Sequence, residues 1–171
     1  ESQPTVTSSG TRISSSAVRS ALAQGDFAEA EVLLGHPYSM SGHVSHGKKL
    51  GRTIGFPTLN LRVGHKHPAL SGIYIVQVHG LADDALPGVA SIGVRPTVDD
   101  SGRVLLETYL FDYNQQCYGR LISVEFLKKL RDEEKYIDLT TLTDAIERDA
   151  VQARTYFKQI ADSATSATDR I

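Results

Sequence analysis

The chain has 171 residues, a formal net charge of -2 at pH 7 and a single cysteine. Its length is enough for one domain with a core of its own, and the lack of a basic surplus argues against general nucleic-acid binding. One cysteine excludes an internal disulfide and fits a reducing compartment, and no apolar run or leader pattern suits a membrane, so we expect a cytoplasmic protein.

The N-terminal part of the sequence predicts a linker followed by two short helices. Residues 1–12 are polar and aperiodic, which is typical of a linker. Ser14 is placed to cap a helix that Gly25 ends, and Asp26 with Glu29 resembles the capping box of a second helix. The apolar positions are Ala17, Val18, Ala21 and Leu22 in the first helix, and Phe27, Ala30, Leu33 and Leu34 in the second.

A glycine-rich, basic segment follows between residues 42 and 60. Glycine lets backbone N–H groups approach phosphate oxygens closely, and lysine or arginine supplies positive charge beside an anion. Gly42 to Lys48 fits the phosphate-loop pattern GxxxxGK, but Lys49 stands where serine or threonine is required. Composition therefore leaves two interpretations open, a polyphosphate site and a surface turn with solvated charges.

The end of this segment carries two oxygen-bearing side chains. Pro57 stiffens the turn, and Thr58 and Asn60 point the same way if the chain is extended there. A hydroxyl and an amide oxygen are ligands of the kind that Mg²⁺ accepts beside nucleotide phosphates.

Short strand-like segments make up the middle of the chain. They are β-branched or apolar, separated by turn residues, and cover residues 38–44, 72–78, 88–94, 104–111 and 121–127. Strands at this spacing indicate a closed antiparallel sheet. Because strands do not alternate with long helices, a Rossmann sheet is disfavoured.

The C-terminal region predicts an amphipathic helix. Apolar residues recur at steps of three and four, and Thr141 with Asp144 fits a capping box. From about Asp162 onward the residues are small and polar, so we expect a disordered tail. The apolar stripe comprises Leu139, Leu142, Ile146, Ala150, Ala153 and Phe157.

Glu107 is the carboxylate that stands out in the strand region. It shares one face of its strand with Tyr109 and Phe111, while Leu106 and Leu110 lie on the other face. A carboxylate with apolar neighbours on both faces is unusual unless it is paired or used in chemistry. A glutamate at a barrel rim with a lysine partner is the structural alternative.

The residues from Gly51 to Asn60, GRTIGFPTLN, resemble the GxxxGxPTAN signature of riboflavin kinases, with Leu59 where alanine is usual. Similar blocks follow in the family's order over most of the chain beyond Pro37. They are residues 90–97, 107–112, 118–119 and 124–136. The resemblance implies a mainly β fold, a small closed antiparallel Greek-key β-barrel with a C-terminal amphipathic helix. It also implies ATP-dependent, Mg²⁺-assisted phosphorylation of the riboflavin 5'-hydroxyl to give FMN and ADP.

The same resemblance implies roles for individual residues. Glu107 matches the catalytic base, and Thr58 with Asn60 matches the metal ligands. Arg131 matches a family position, and Arg131 and Glu107 are the residues expected to contact the flavin. The alternative for Arg131 is that it belongs to a solvated charged run before the helix. The expected nucleotide-binding residues are Gly47, Lys48, Lys49, Gly51, Arg52, Gly55, Phe56, Thr58 and Asn60.

Residues Ile13 to Arg19 are similar to the ISSTxIR motif that ends the adenylyltransferase half of bifunctional bacterial FAD synthetases. The chain starts at Glu1 rather than methionine and has no His-x-Gly-His motif, so we expect a fragment without that half and without adenylyl transfer. The expected divisions are 1–36 as linker and helical remnant, 37–161 as kinase barrel with its helix, and 162–171 as tail.

Two rival functions remain from the sequence. A non-catalytic flavin-binding barrel would have no use for the oxygen ligands Thr58 and Asn60. A nucleic-acid-binding barrel fits poorly, because aromatic residues are few and the net charge is negative. His65 and His67 lack a third metal ligand nearby, and Cys117 has no evident base beside it.

Overall fold

Eight strands and three helices follow one another in the computed structural model, which describes residues 7–8, 11–12, 14–46, 54–63, 68–93 and 104–168. The strands are β1 Thr7–Ser8, β2 Thr11–Arg12, β3 Ser39–Ser45, β4 Thr58–Val63, β5 Gly72–His79, β6 Leu86–Ile92, β7 Val104–Leu110 and β8 Leu121–Arg131. The helices are α1 Ser15–Gln24, α2 Phe27–Leu34 and α3 Leu139–Thr168.

Six of the strands form a closed antiparallel barrel in the order β3-β4-β7-β6-β5-β8. Consecutive strands β5, β6 and β7 are neighbours, and β8 returns to lie beside β5, which is a Greek-key arrangement. Closure leaves the six strands without a free edge. The barrel predicted from the sequence is confirmed.

The barrel sheet is apolar on both faces where helix α3 packs against it. Its inner face forms the core, and part of its outer face is covered by α3. Tyr74, Val76 and Val78 of β5 point into the interior core, whereas Ile75 lies in a second cluster with Ala150 and Ala153 of α3. Strand β5 therefore reads as an almost continuous apolar run, as expected for a strand buried on both faces.

The two N-terminal helices begin and end where their capping residues predict. Ser14 Oγ accepts from the Ala17 N–H at 3.2 Å, and Asp26 Oδ1 accepts from the Glu29 N–H at 2.9 Å. Both helices end at glycines in the left-handed conformation. Their apolar residues Ala21, Leu22, Phe27 and Ala30 belong to the same core cluster as the barrel interior, so the helices pack as part of the barrel.

The C-terminal helix differs from the prediction at both ends. It begins at Leu139, and its first-turn N–H at Thr141 is capped by Asp138 Oδ1 at 2.8 Å, so the capping box assigned to Thr141 and Asp144 is wrong. Leu139, placed on the apolar stripe, is 53% exposed. The helix continues to Thr168, through residues for which a disordered tail was predicted.

Serine and threonine hydroxyls accompany this C-terminal extension. Ser163 Oγ and Thr165 Oγ1 donate to the carbonyls four residues before them, at 2.7 and 3.1 Å. Such bonds satisfy small polar side chains within a helix. Within the described part of the chain, no helix combines the length and the apolar character needed to cross a membrane.

Candidate active site

A row of polar side chains crosses three neighbouring strands on the outer face of the barrel. Asn60 of β4 is paired with Glu107 of β7, and Glu107 is paired with Ser91 of β6. Directly paired residues in an antiparallel sheet present their side chains on the same face, about 4.5–5.5 Å apart at Cβ. Thr58 and Tyr109 form the next row on that face.

One cleft, the helix-side cleft, lies between this outer face, residues 131–136 and α3. Its volume is about 310 Å³. Glu107 and Arg131, the two residues expected to contact the flavin, both line it, and apolar side chains form much of the wall. The lining residues are Ile54, Phe56, Thr58, Ile73, Val89, Ala90, Ser91, Glu107, Tyr109, Arg131, Glu133, Glu134, Tyr136, Leu142, Ile146 and Asp149.

A second cleft, the loop-side cleft, lies at the end of the barrel beneath the turn that follows β7. Its volume is about 340 Å³. Thr58 lines both clefts, so the two meet at this residue. The lining residues are Val44, Pro57, Thr58, Leu59, Thr108, Leu110, Tyr113, Asn114, Gln115, Gln116, Cys117 and Tyr118.

The side-chain oxygen of Asn60 is buried. The residue is 4% exposed, and its Oδ1 meets no donor among the described residues. A buried amide oxygen in this state is costly unless a donor or a cation reaches it. Thr58, two residues away, adds a hydroxyl, and both are hard oxygen ligands suited to Mg²⁺. These two side chains fit a magnesium site.

Such a metal would take few ligands from the protein's acidic or imidazole side chains. Among the described residues, no group of three His, Cys, Asp or Glu side chains is arranged to hold an ion. Mg²⁺ beside nucleotides commonly uses one or two protein ligands, substrate phosphates and water. The donor set at Thr58 and Asn60 is of that kind.

Arg131 is fixed at the wall of the helix-side cleft by a two-pronged ion pair. Its Nε and Nη2 donate to Asp149 Oδ1 and Oδ2 at 2.9 and 2.7 Å. This hydrogen bonding holds the pKa of the Arg131 guanidinium above its usual range. The guanidinium also lies 6.0 Å from the centre of the Tyr136 ring.

Asp149 is the site residue that the sequence-based reasoning missed. It lies three residues after Ile146 and four before Ala153, so helical spacing places it on the face of α3 that meets the barrel. An acidic residue at a core-facing position signals a buried partner. The sequence therefore indicated that Asp149 faces the barrel, but it did not identify Arg131 as its partner.

Of the described nucleotide-binding candidates, Thr58 lines both clefts, Phe56 lines the helix-side cleft alone, and Gly55 and Asn60 line neither. Phe56 lines the helix-side cleft and packs edge-on against Tyr109, with ring centres 5.2 Å apart, so it lies beside Glu107. Gly55 has a φ of 84°, a conformation that favours glycine. The candidates Gly47, Lys48, Lys49, Gly51 and Arg52, together with His65 and His67, lie outside the described residues.

The turn over the loop-side cleft carries aromatic and sulfur groups. Burial raises the pKa of the Cys117 thiol, which disfavours its reactive thiolate form. Tyr118, in the same turn, stacks on His46 with ring centres 3.8 Å apart. The turn thus contacts His46, which lies within the glycine-rich segment.

Comparison with known proteins identifies the family. The family model for flavokinase, described as riboflavin kinase, matches residues 34–157. A bifunctional riboflavin kinase/FMN adenylyltransferase from Escherichia coli K12 is 49% identical over 148 residues, covering 86% of this chain and 47% of that protein. The chain therefore spans about half the length of the curated relatives it matches.

Two solved structures are similar in fold. A protein from Streptococcus pneumoniae, described as a macrolide-efflux protein, has a TM-score of 0.72 and 34% identity, covering 89% of this chain and 50% of that one. Riboflavin kinase from Trypanosoma brucei has a TM-score of 0.51 and 22% identity, over 71% and 78% of the two chains, and shares the fold. The family match over residues 34–157 and the E. coli relative together show that this chain belongs to the riboflavin kinase family.

Proposed function

We propose that this chain transfers the γ-phosphoryl group of ATP to the 5'-hydroxyl of riboflavin, giving FMN and ADP. The observation that carries the proposal is the row formed by Asn60 and Glu107 beside Thr58, where two clefts meet. Phosphoryl transfer requires a donor and an acceptor held in line, charge neutralisation between them and a group that takes the proton. In this row Thr58 and Asn60 would hold the metal that neutralises charge, and Glu107 would take the proton. The row lies at the junction of the two clefts.

The position of Glu107 supports an assignment of the two substrates to the two clefts. A general base must lie within hydrogen-bond reach of the proton that it removes. Because Glu107 lines the helix-side cleft, the acceptor hydroxyl belongs there, and the nucleotide belongs in the loop-side cleft. The transferred phosphoryl group then lies near Thr58.

The walls of the helix-side cleft suit a flavin. The isoalloxazine is a large planar ring system with carbonyl and nitrogen acceptors along one edge. Phe56, Val89, Leu142 and Ile146 offer apolar surface, and the guanidinium of Arg131 offers donors that can reach ring acceptors. A pocket with apolar walls and a few fixed polar groups is the usual form of a small-molecule site.

Thr58 and Asn60 would hold Mg²⁺, which when bound supplies positive charge to the triphosphate and the phosphoryl group in transfer. The protein's own part is to place these oxygens beside Glu107 on adjacent strands. Burial of Asn60 keeps water from competing for its amide oxygen.

The chemical step makes one bond and breaks another. The riboflavin 5'-oxygen forms a bond to the γ-phosphorus, the bond between that phosphorus and the β,γ-bridging oxygen breaks, and ADP leaves with the bonding electrons. The hydroxyl proton passes to the Glu107 carboxylate. A general base of this kind contributes roughly 10²- to 10⁴-fold in rate.

Substitutions along the row test the assignment. We expect Thr58→Ala or Asn60→Ala to abolish turnover, and Glu107→Gln to leave a measurable residue of roughly 10⁻² to 10⁻⁴ of the wild-type kcat. Ser41→Ala removes a hydroxyl from an exposed strand position that bonds Ser123, and serves as the matched control with unchanged kcat. Equal, mild losses of kcat in the Thr58, Asn60 and Glu107 variants would refute these roles.

Two further expectations accompany the proposal. The same reactions should contain no FAD, since the Ile13 to Arg19 resemblance is to a motif that works within another domain. We also propose a cytoplasmic location, because ATP is a co-substrate and Cys117 is buried as a thiol. Appearance of FAD would show that the N-terminal helices carry chemistry of their own.

A further inference from the structure

Asp149 is a carboxylate buried at the junction of α3 and the barrel. It is 3% exposed, and Ala145, Ala150 and Ala153 on the same helix are also buried. Aspartate is rarely buried this deeply without a partner, because losing the hydration of an ionised carboxylate is costly. Arg131 is that partner and occupies both carboxylate oxygens.

This pairing fixes the plane of the Arg131 guanidinium. Two parallel N–H···O bonds define both the position and the orientation of the group. Nη1 donates in addition to the Asp132 carbonyl at 3.1 Å. Among the described residues, three of its five N–H groups thus have acceptors at Asp149 and Asp132, and the guanidinium lies at the wall of the helix-side cleft.

We propose that Asp149 is a positioning residue for the acceptor: it holds the Arg131 guanidinium in the orientation in which Arg131 contacts the flavin ring. The inference rests on the proposed function, since it takes the helix-side cleft to be the riboflavin site. Both carboxylate oxygens of Asp149 accept from Arg131, so helix α3 sets the geometry of acceptor binding through that guanidinium.

When Asp149 is replaced by a neutral residue, the Arg131 guanidinium can pair with another carboxylate. Glu134 Oε2 lies 4.0 Å from Arg131 Nη1 and its side chain is 59% exposed, so it is the nearest alternative partner. A guanidinium that turns toward Glu134 leaves the orientation set by Asp149. Displacement of a substrate-positioning group by about 1 Å is enough to cost up to roughly 10²-fold.

A second ion pair on the same helix provides a matched control. Arg154 of α3 bonds Asp112 at 3.0 Å, with side chains 48% and 81% exposed, and Arg154 lines neither of the two clefts. Arg154→Gln therefore removes a guanidinium–carboxylate pair that joins α3 to the turn after β7, at a residue outside the lining of both proposed substrate sites. Exposed pairs of this kind contribute little to stability.

A double-mutant cycle tests the proposal. Riboflavin binding is measured by quenching of its fluorescence in Asp149→Asn, Arg131→Gln, the double variant and Arg154→Gln, and KM for ATP is measured in parallel. We expect Asp149→Asn to raise the Kd for riboflavin roughly tenfold or more, with KM for ATP changed by less than about twofold. Arg154→Gln should match the wild type in both.

The double variant distinguishes positioning from a merely structural role. If Asp149 acts through Arg131, the double variant binds riboflavin as Arg131→Gln does, within about twofold. The proposal is overturned if the two substitutions raise the Kd for riboflavin independently, so that their factors multiply in the double variant. It is also overturned if Asp149→Asn has the wild-type Kd. If Asp149→Asn does not fold, Asp149→Glu, which keeps the buried charge and moves the carboxylate by one methylene, takes its place in the cycle with the same expected outcomes.

The same titrations separate this inference from the kinase proposal. A wild-type chain that binds riboflavin but forms no FMN refutes the proposed function, while the binding cycle still judges Asp149. A wild-type chain that forms FMN with an unaltered Kd in Asp149→Asn refutes the positioning role alone. Absence of riboflavin binding by the wild type overturns both.

Discussion

Replacing Phe27 with alanine tests whether the N-terminal helices are part of the barrel's cooperative core. Phe27 is 8% exposed, and its ring lies 5.9 Å from the Tyr74 ring and 6.0 Å from the Phe126 ring. Truncating a buried phenylalanine costs about 3–5 kcal/mol, including the cavity it leaves. With about 2–4 °C per kcal/mol for a chain of this size, Tm should fall by roughly 10 °C.

The measurement is thermal unfolding followed by circular dichroism, with Val32→Ala as the control. Val32 lies on the same helix but is 52% exposed, so its truncation should cost less than about 0.5 kcal/mol. Equal Tm values for the two variants would contradict the packing of α2 against the barrel core described here. A separate low-temperature transition in the wild type would do the same.

Two further predictions concern stability. Burial raises the pKa of Tyr74 to about 12, above its usual value of 10.0, so the folded protein holds the phenol proton more tightly than the unfolded chain does. The stability that Tyr74 contributes through this pKa difference is complete below about pH 10 and is lost as the pH rises toward 12. Tyr74→Phe should therefore reduce the fall of Tm at alkaline pH, and an unchanged fall would contradict the assignment. Gly72 has a φ of +122°, and an added Cβ would lie 2.5 Å from the Arg131 carbonyl oxygen. Gly72→Ala should destabilise by about 1–3 kcal/mol in a urea titration, more than Gly35→Ala, whose Cβ would meet nothing within 4 Å; equal losses would show that the close approach is unimportant.

Features encoded by neighbouring residues were predictable from the sequence. Ser14, Gly25 and Asp26 mark helix boundaries through bonds within one turn of the chain. The alternation around Glu107 placed its side chain on the face opposite Leu106 and Leu110, and burial confirms that the two leucines are in the core. Such patterns depend on local geometry alone.

Features that depend on distant partners were not predictable. Strand β4 is only six residues long and begins within the glycine-rich segment, so its hydrogen bonding to β7 could not be predicted from its own sequence. The junction of the two clefts at Thr58 and the pairing of Asp149 with Arg131 depend on contacts between different elements, which no local pattern in the sequence specifies. Helix α3 begins at Leu139 because the carboxylate of Asp138, the residue before it, accepts from both the N–H and the hydroxyl of Thr141, so Asp138 and not Thr141 is the cap.

The most direct test of phosphoryl transfer follows the label from γ-labelled ATP. The chain is incubated with riboflavin and labelled ATP, with and without Mg²⁺, and the flavins are separated chromatographically. We predict that label enters FMN only when riboflavin, ATP and Mg²⁺ are all present, and that unlabelled ADP accumulates in equal amount. Riboflavin that is bound but never labelled would contradict the account and would identify the barrel as a flavin-binding protein without kinase activity.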